Sequence, residues 1–328
     1  MNEVITPCSF APTFPFDPDQ KKRSPQTPRS PEGFPELPQD WLSEFELFNG
    51  TDGSTQLFAH LFRPKEWNGK NAHRALFILH GQGEHSGRYV HVPHYMKDVV
   101  GSVYALDHRG HGQSEGRRGH INDFDQYACD VELAINRFYE YLMERFGKAE
   151  IHVLGHSMGG QIATRAMINY KDLPVASVTL SAPMFDLAFE VPKLKEFASK
   201  ILHKIAPSLI LPGEPLADLV SSDPKVCEHY KNDPRNHGFV STAFYFSYLD
   251  RKNDSFEKAD SVTYPTMVQI AGSDQIIDPK SIERFSDRLP SSHRCHTYQK
   301  MYHEIYNEPD RQQVFNDLIE WIEVNSAT

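Results

Sequence analysis

The chain has 328 residues, enough to bury a large core as one domain with an insertion or as two domains. With 39% hydrophobic and 24% charged residues it has the make-up of a globular protein, and no apolar run approaches the 18 or so residues that a membrane span requires, so no transmembrane segment is expected. A formal net charge of -10 argues against nucleic acid as a partner, because phosphate contacts need a concentrated basic face.

The first residues, "MNEVITPCSFAPTF", have neither a basic n-region nor a continuous apolar run, and predict no secretory signal. Cys8, Cys129, Cys227 and Cys295 lie far apart with no CxxC pair, which gives neither a metal framework nor a disulfide signature. A reducing, cytoplasmic location is the expectation. Residues 1–40 carry Pro7, Pro12, Pro15, Pro18, Pro25, Pro28, Pro31, Pro35 and Pro38 together with "KKR" and "SPQTPRS", a composition that forbids helix and reads as an extended, disordered tail.

From Trp41 the pattern changes. "FELFNGTDGSTQLFAHLF" predicts two strands around an Asp52-Gly53 turn. Short apolar runs then alternate with helical patterns: residues 75–81, 102–110, 151–157, 175–183 and 266–274 read as strands. Residues 124–146 carry Phe124, Tyr127, Ala128, Val131, Leu133, Ala134, Phe138, Tyr141 and Leu142 at helical spacing. Such alternation predicts an α/β fold with a mostly parallel central sheet, helices on both faces and the chemistry at the carboxyl ends of the strands. Between 184 and 262 about 80 residues show helical patterning with scattered proline, too long for one crossover, and predict an inserted helical cap. The expected domains are the tail 1–40, a core of 41–183 and 263–328, and the cap 184–262.

Within the cap, Leu194, Phe197, Ala198, Ile201, Leu202 and Ile205 line one helix face, with Lys193, Lys195, Lys200 and Lys204 mostly opposite. A helix of this kind can lie in a membrane interface, which would make the protein peripheral there; a cap helix packed on the body is the favoured reading.

Gly155-His156-Ser157-Met158-Gly159 matches G-x-S-x-G, preceded by a strand and followed by a helical pattern, the context in which a serine becomes a nucleophile. Glycines are needed because side chains two residues either side of so sharp a turn would meet neighbouring backbone. Serine is a poor nucleophile without a base, and the base needs an acid to fix its tautomer. "QIAGSDQIID" supplies Asp274 after a strand and "HTYQKMYHEIYNE" supplies His303 after the next, in the order Ser, Asp, His. Asp278 precedes Pro279 and reads as a helix N-cap, and Asp186 is the second candidate for the acid. The oxyanion donors expected are the backbone N–H groups of Met158 and of Gln82 in "HGQGEHSGRY".

"HEIYN" at His303 fails as a metalloprotease motif at Asn307, and His80, His85, His91 and His94 have no ligand-bearing spacing; they are assigned to packing and to the mouth of the site. No metal and no organic cofactor are expected.

Taken together, "HGQGEHSGRY", "DHRGHGQSEG", "GHSMGG", "GSD" and "YHEIYNE" resemble the monoglyceride lipase and lysophospholipase group of α/β-hydrolases, over residues 75–183 and 265–325. The resemblance implies the α/β-hydrolase fold and hydrolysis of single-chain lipid esters, monoacylglycerol or lysophospholipid. It implies Ser157, Asp274 and His303 as triad, Gln82 and Met158 as oxyanion donors, and Glu84 and Arg88 as substrate-binding residues near the polar end of the acyl-glycerol site. Relatives in this group often have a small residue where this chain has Gln82. The alternatives are a serine peptidase or acyltransferase on the same fold and, less favoured, a non-catalytic binding protein.

Overall fold

The computed structural model describes residues 6–7, 28–190, 193–290 and 292–326. Strand β1 (Thr6–Pro7) runs parallel to β2 (Trp41–Asn49), which forms a full hairpin with β3 (Gln56–Pro64). The turn between them is tied by the Asp52 carboxylate, which accepts from the N–H groups of Ser54 at 2.9 Å and Thr55 at 2.8 Å. Next come β4 (Arg74–Leu79), α1 (Val92–Met96), β5 (Ser102–Asp107), α2 (Asp125–Phe146), β6 (Glu150–His156), α3 (Met158–Asn169) and β7 (Ser177–Ser181).

The chain then leaves the sheet for α4 (Lys193–Ile205), β8 (Ile210–Pro212), α5 (Pro224–Asn232), β9 (Phe239–Ser241) and α6 (Thr242–Glu257). It returns through β10 (Thr266–Ala271), α7 (Pro279–Ser286), β11 (Arg294–Tyr298) and α8 (Arg311–Val324).

The main sheet has the order β1-β2-β3-β5-β4-β6-β7-β10-β11, antiparallel only at β2/β3 and β3/β5. Its central strands are buried along their whole length, as expected of a parallel sheet covered on both faces. In β4 the side chains alternate between two cores. Ala75, Phe77 and Leu79 join the cluster packed by α2, α3 and α7, while Leu76 and Ile78 join the one packed by α1 and α8. Helix α2 buries Tyr127, Val131, Ala134, Phe138 and Leu142 along one face, and it stops at Gly147, whose φ of 70° lets its N–H reach the Met143 carbonyl.

Two features depart from the sequence reading. The segment between β7 and β10 is not purely helical: β8 and β9 pair antiparallel, Leu211 opposite Val240, in a ribbon of three residues per strand. Runs this short, one of them ending in Pro212, leave no periodic signal.

The second departure concerns the tail, which does not extend to residue 40 as an unpacked segment. Phe34 is buried, with the Arg311 guanidinium 3.6 Å above its ring and His91 edge-on at 5.4 Å. Ser30 Oγ donates to the Pro35 carbonyl, and the Trp41 N–H donates to Pro38. Proline forbids helix here but also lowers the entropy lost on ordering, so the burial of Phe34, with Pro28 and Pro31 buried and Leu37 packed on the core beside it, docks the segment. "KKR" and "SPQT" lie outside the described residues.

This docking predicts that Phe34→Ala destabilises the protein by about 3 kcal/mol in urea unfolding, the cost of truncating a buried aromatic.

Candidate active site

The site begins at a backbone constraint. Between β6 and α3, Ser157 has φ 51° and ψ -115°, a left-handed conformation that a residue with a Cβ rarely takes. Such strain costs on the order of 1–3 kcal/mol and persists only where surrounding structure over-determines it. Here the Ser157 N–H donates to the Ser181 carbonyl at 2.9 Å, and its own carbonyl accepts from Gly160, Gln161 and Met184. A Cβ on Gly155 would lie 2.5 Å from the Gly159 carbonyl oxygen, and one on Gly159 would lie 2.0 Å from that of Leu79. The two glycines of the motif are therefore sterically required. Met158 is the first residue of α3, so its N–H has no acceptor four residues earlier in the helix.

Asp274 follows β10 and is held in place by its own turn. Its Oδ1 accepts from the N–H groups of Ile276 at 2.8 Å and Ile277 at 3.0 Å, while Oδ2 bonds His303 Nδ1 at 2.7 Å. A carboxylate can only accept, so the proton of that bond sits on Nδ1 and Nε2 is left with its lone pair. Burial alone depresses the imidazolium of His303; the charge and hydrogen bond of Asp274, helped by Glu304 and Glu84, more than offset it and raise its pKa above the ordinary imidazole value. The other acid candidates are occupied elsewhere. Asp278 caps α7 through the Lys280 N–H, and Asp186 pairs with Lys252 and Arg284.

Ser157 and His303 open onto a cavity of about 660 Å³ beneath the cap. Gly81 and Gln82 border it, and a Cβ on Gly81 would lie 3.3 Å from that of Ser157, which puts this loop against the serine. The Gln82 side chain turns away to the cap, Nε2 donating to the Phe239 carbonyl at 3.1 Å. Most of the remaining wall is apolar, including Leu187, Leu202, Val240 and Ile277. The cavity thus pairs a polar end, where serine and imidazole meet the loop of Gly81 and Gln82, with a long apolar reach.

Glu84 and Arg88 come together at the polar end, but in different positions. Glu84 lines the cavity. Arg88 stands behind it, its guanidinium bonded to Glu84 Oε2 at 2.6 Å and to both oxygens of Glu304 at 2.6 and 2.7 Å, and packed 4.6 Å from the Tyr230 ring. Arg88 thus faces a bound molecule only through these partners. Burial pushes the Glu84 carboxyl up, but Arg88 first, then His156, His80 and the Gly81 N–H, hold it below the usual carboxylate range.

Sequence reasoning missed Glu304, Tyr230 and the cap residues His237 and Tyr248, all of which line the cavity. Glu304 adjoins His303, but its partner Arg88 lies 216 positions away and no local signal pairs the two. Of the histidines assigned to packing and to the mouth, His80, His85 and His91 are buried and His94 is exposed, and none borders the cavity. Among the described residues no group of three or more His, Cys, Asp or Glu side chains is placed to hold a metal ion.

Residues 70–310 match the family described as serine aminopeptidase, S33. A monoacylglycerol lipase of Mycolicibacterium smegmatis is 33% identical over 78% of this chain and 90% of its own length. The phospholipase YtpA of Bacillus subtilis is 28% identical over 76% of this chain and 95% of its own. The crystal structure of a monoacylglycerol lipase from Paleococcus ferrophilus superposes with a TM-score of 0.69 at 25% identity, covering 82% of this chain and 99% of that one.

The electrostatics of His303 predict an NMR titration midpoint above the ordinary imidazole value of about 6.5. Asp274→Asn removes the largest offsetting charge and leaves the desolvation, so the midpoint should fall from its wild-type position; a midpoint unmoved by the substitution would contradict this account.

Proposed function

The chain belongs to the serine aminopeptidase S33 family of α/β-hydrolases, and on that premise we propose that this serine ester hydrolase cleaves single-chain lipid esters, monoacylglycerol or lysophospholipid, through an acyl-enzyme. Ser157 Oγ attacks the ester carbonyl carbon while His303 Nε2 takes its proton. Asp274 holds the imidazole in the required tautomer and stabilises the imidazolium. The carbonyl oxygen, now an oxyanion, is held by the N–H groups of Gln82 and Met158. Collapse of the intermediate breaks the bond to the alcohol, which leaves with the proton from His303. Water then attacks the acyl-enzyme with His303 again as base, releasing the fatty acid and restoring Ser157.

The observation that carries this reading is a single cavity with Ser157 and His303 at its polar end and apolar side chains along most of its remaining wall. An acyl chain matches the apolar reach, and the head group falls beside Glu84, which Arg88 holds from behind. The peptidase reading has the family's descriptive name on its side, but a peptide would have to place its amides against that apolar wall.

Contact with lipid is peripheral and made by the cap, from the cytoplasmic side where the cysteines stay reduced. No helix among the described residues is long and apolar enough to cross a membrane. Yet Ile201 is 46% exposed, Ile205 73%, Leu209 42% and Phe239 45%, close together in sequence or across the β8/β9 ribbon.

The test is a panel of long-chain monoacylglycerol, lysophosphatidylcholine, a short nitrophenyl ester and an aminoacyl amide. Lipid-ester turnover is expected, reduced at least about 10⁴-fold in Ser157→Ala. Turnover of the amide alone would move the protein to the peptidases. Since protonated His303 cannot accept the serine proton, kcat/KM should rise with pH through a limb above about 6.5.

The paired substitution Ile201→Glu with Ile205→Glu should lower the rate on monoacylglycerol in vesicles by about tenfold or more, from the lost burial of two isoleucines, and leave the soluble ester within about twofold.

A further inference from the structure

The buried charges at the polar end connect two loops that are far apart in sequence. Arg88 belongs to the turn that follows the oxyanion loop, and Glu304 directly follows His303. The guanidinium donates Nη1 to Glu304 Oε1 at 2.6 Å and Nη2 to Glu304 Oε2 at 2.7 Å, a two-pronged pair across 216 positions of sequence. Nη1 also donates to Glu84 Oε2, and Glu84 Oε1 accepts the Gly81 N–H at 2.6 Å and the Tyr89 hydroxyl at 3.0 Å. The residue after Gly81 is Gln82. One chain of charge-assisted bonds therefore runs from the residue beside the base to the residue beside the oxyanion donor.

Its members are held from outside as well. Glu304 Oε2 accepts from Asn307 Nδ2 at 2.8 Å, the Glu304 N–H donates to the Val220 carbonyl at 2.8 Å, and Tyr230 closes the other face of Arg88. All three charged side chains are buried. A buried ion triad is a weak source of net stability, because desolvation offsets most of the attraction, but its geometry is stiff and removal of one partner is felt by the others.

We propose that Glu304 is a positioning residue: by gripping Arg88 with both carboxylate oxygens it locks the loop of His303 to the loop of Gln82, so that base and oxyanion donor hold a common geometry about Ser157. The inference rests on the roles proposed above for Ser157, His303 and Gln82. The charge of Glu304 also acts on His303 itself: burial lowers the imidazole pKa, and Asp274, Glu304 and Glu84 together raise it. Glu304 thus has two separable effects, one through shape and one through charge.

Glu304→Gln tests the grip, since an amide offers one acceptor oxygen to two guanidinium N–H groups and turns a donor toward the other. Activity is read on a short nitrophenyl ester, which carries no polyol head group and so removes any effect on head-group binding. The expected result is a fall in kcat of about 30- to 100-fold, the size that a misplacement near 1 Å produces, with KM within about threefold of wild type. The acid limb of kcat/KM should move to lower pH, since His303 loses a nearby negative charge.

Glu304→Asp keeps the charge but is too short to span both nitrogens, so it should lose kcat while leaving the limb in place. A folded Glu304→Gln protein with kcat within threefold of wild type, or one that loses only thermal stability, would overturn the proposal. If that variant fails to fold, Arg88→Lys replaces the fork by a point charge and must show the same loss of kcat; a wild-type kcat there overturns it equally. Wild-type protein inert on every ester would instead count against the hydrolase reading on which the proposal depends.

Discussion

Two backbones meet at the centre of the sheet with no space for a side chain between them. A Cβ on Gly159 would come within 2.0 Å of the carbonyl oxygen of Leu79, so the first turn of α3 rests directly on the end of β4. From this contact the rest of the site follows. The chain can leave β6 and enter α3 so close to β4 only by turning through one residue, and that residue, Ser157, takes φ 51°. The loop that continues β4 then has nowhere to go but past the serine, which is why a Cβ on Gly81 would already lie 3.3 Å from that of Ser157. Strain at the turn is sustained because β4, β6 and β7, which hold it, are buried almost throughout. The core and the site are one packing problem.

The same crowding puts several charges out of water, and the arrangement decides which of them stay ionised. Arg88 compensates Glu84 and Glu304, and Asp274 compensates His303. His156, next to the serine, is compensated less fully: burial first, and then the neighbouring His303, push its pKa down to about 4 against the opposing pull of Glu84 and Glu304. Its ring lies 4.7 Å from that of His303, so a proton there would repel one on the base. Keeping His156 neutral leaves His303 as the imidazole beside Ser157 that gains and loses a proton near neutral pH.

What could be read from the sequence was local. The strands, α2 and the turn at Ser157 announce themselves within a dozen residues, because burial on two sheet faces and steric exclusion at glycine act over that range. Asp274 and His303 were legible by their places after strands, a consequence of sheet topology rather than of their neighbours. Glu304 was not, since its partner Arg88 is 216 positions away and nothing in "HEIYN" indicates it. The β8/β9 ribbon is too short for periodicity to register, and residues 28–40 dock through Phe34 and a few neighbours scattered among prolines. Composition there reported the missing helix correctly and was silent about packing.

The cap helix α4 shows a further limit, one that lies in the pattern itself. Ala198 and Leu202 border the cavity, Leu202 half-buried, while Ile201 and Ile205, like Ala198, are exposed, yet the four side chains fall within an arc of about 100° on the helix. An arc of that width reads as one apolar face with one neighbour. In the structure it is divided: one edge forms cavity wall and the other is left to the surroundings, while Leu194 and Phe197 have side chains outside those described. The two readings of the sequence, packed helix and lipid-facing helix, are therefore not exclusive. A single rigid helix couples them, because any shift of α4 that draws its outer edge toward an apolar phase also moves Ala198 and Leu202, and with them the wall of the chamber in which Ser157 lies.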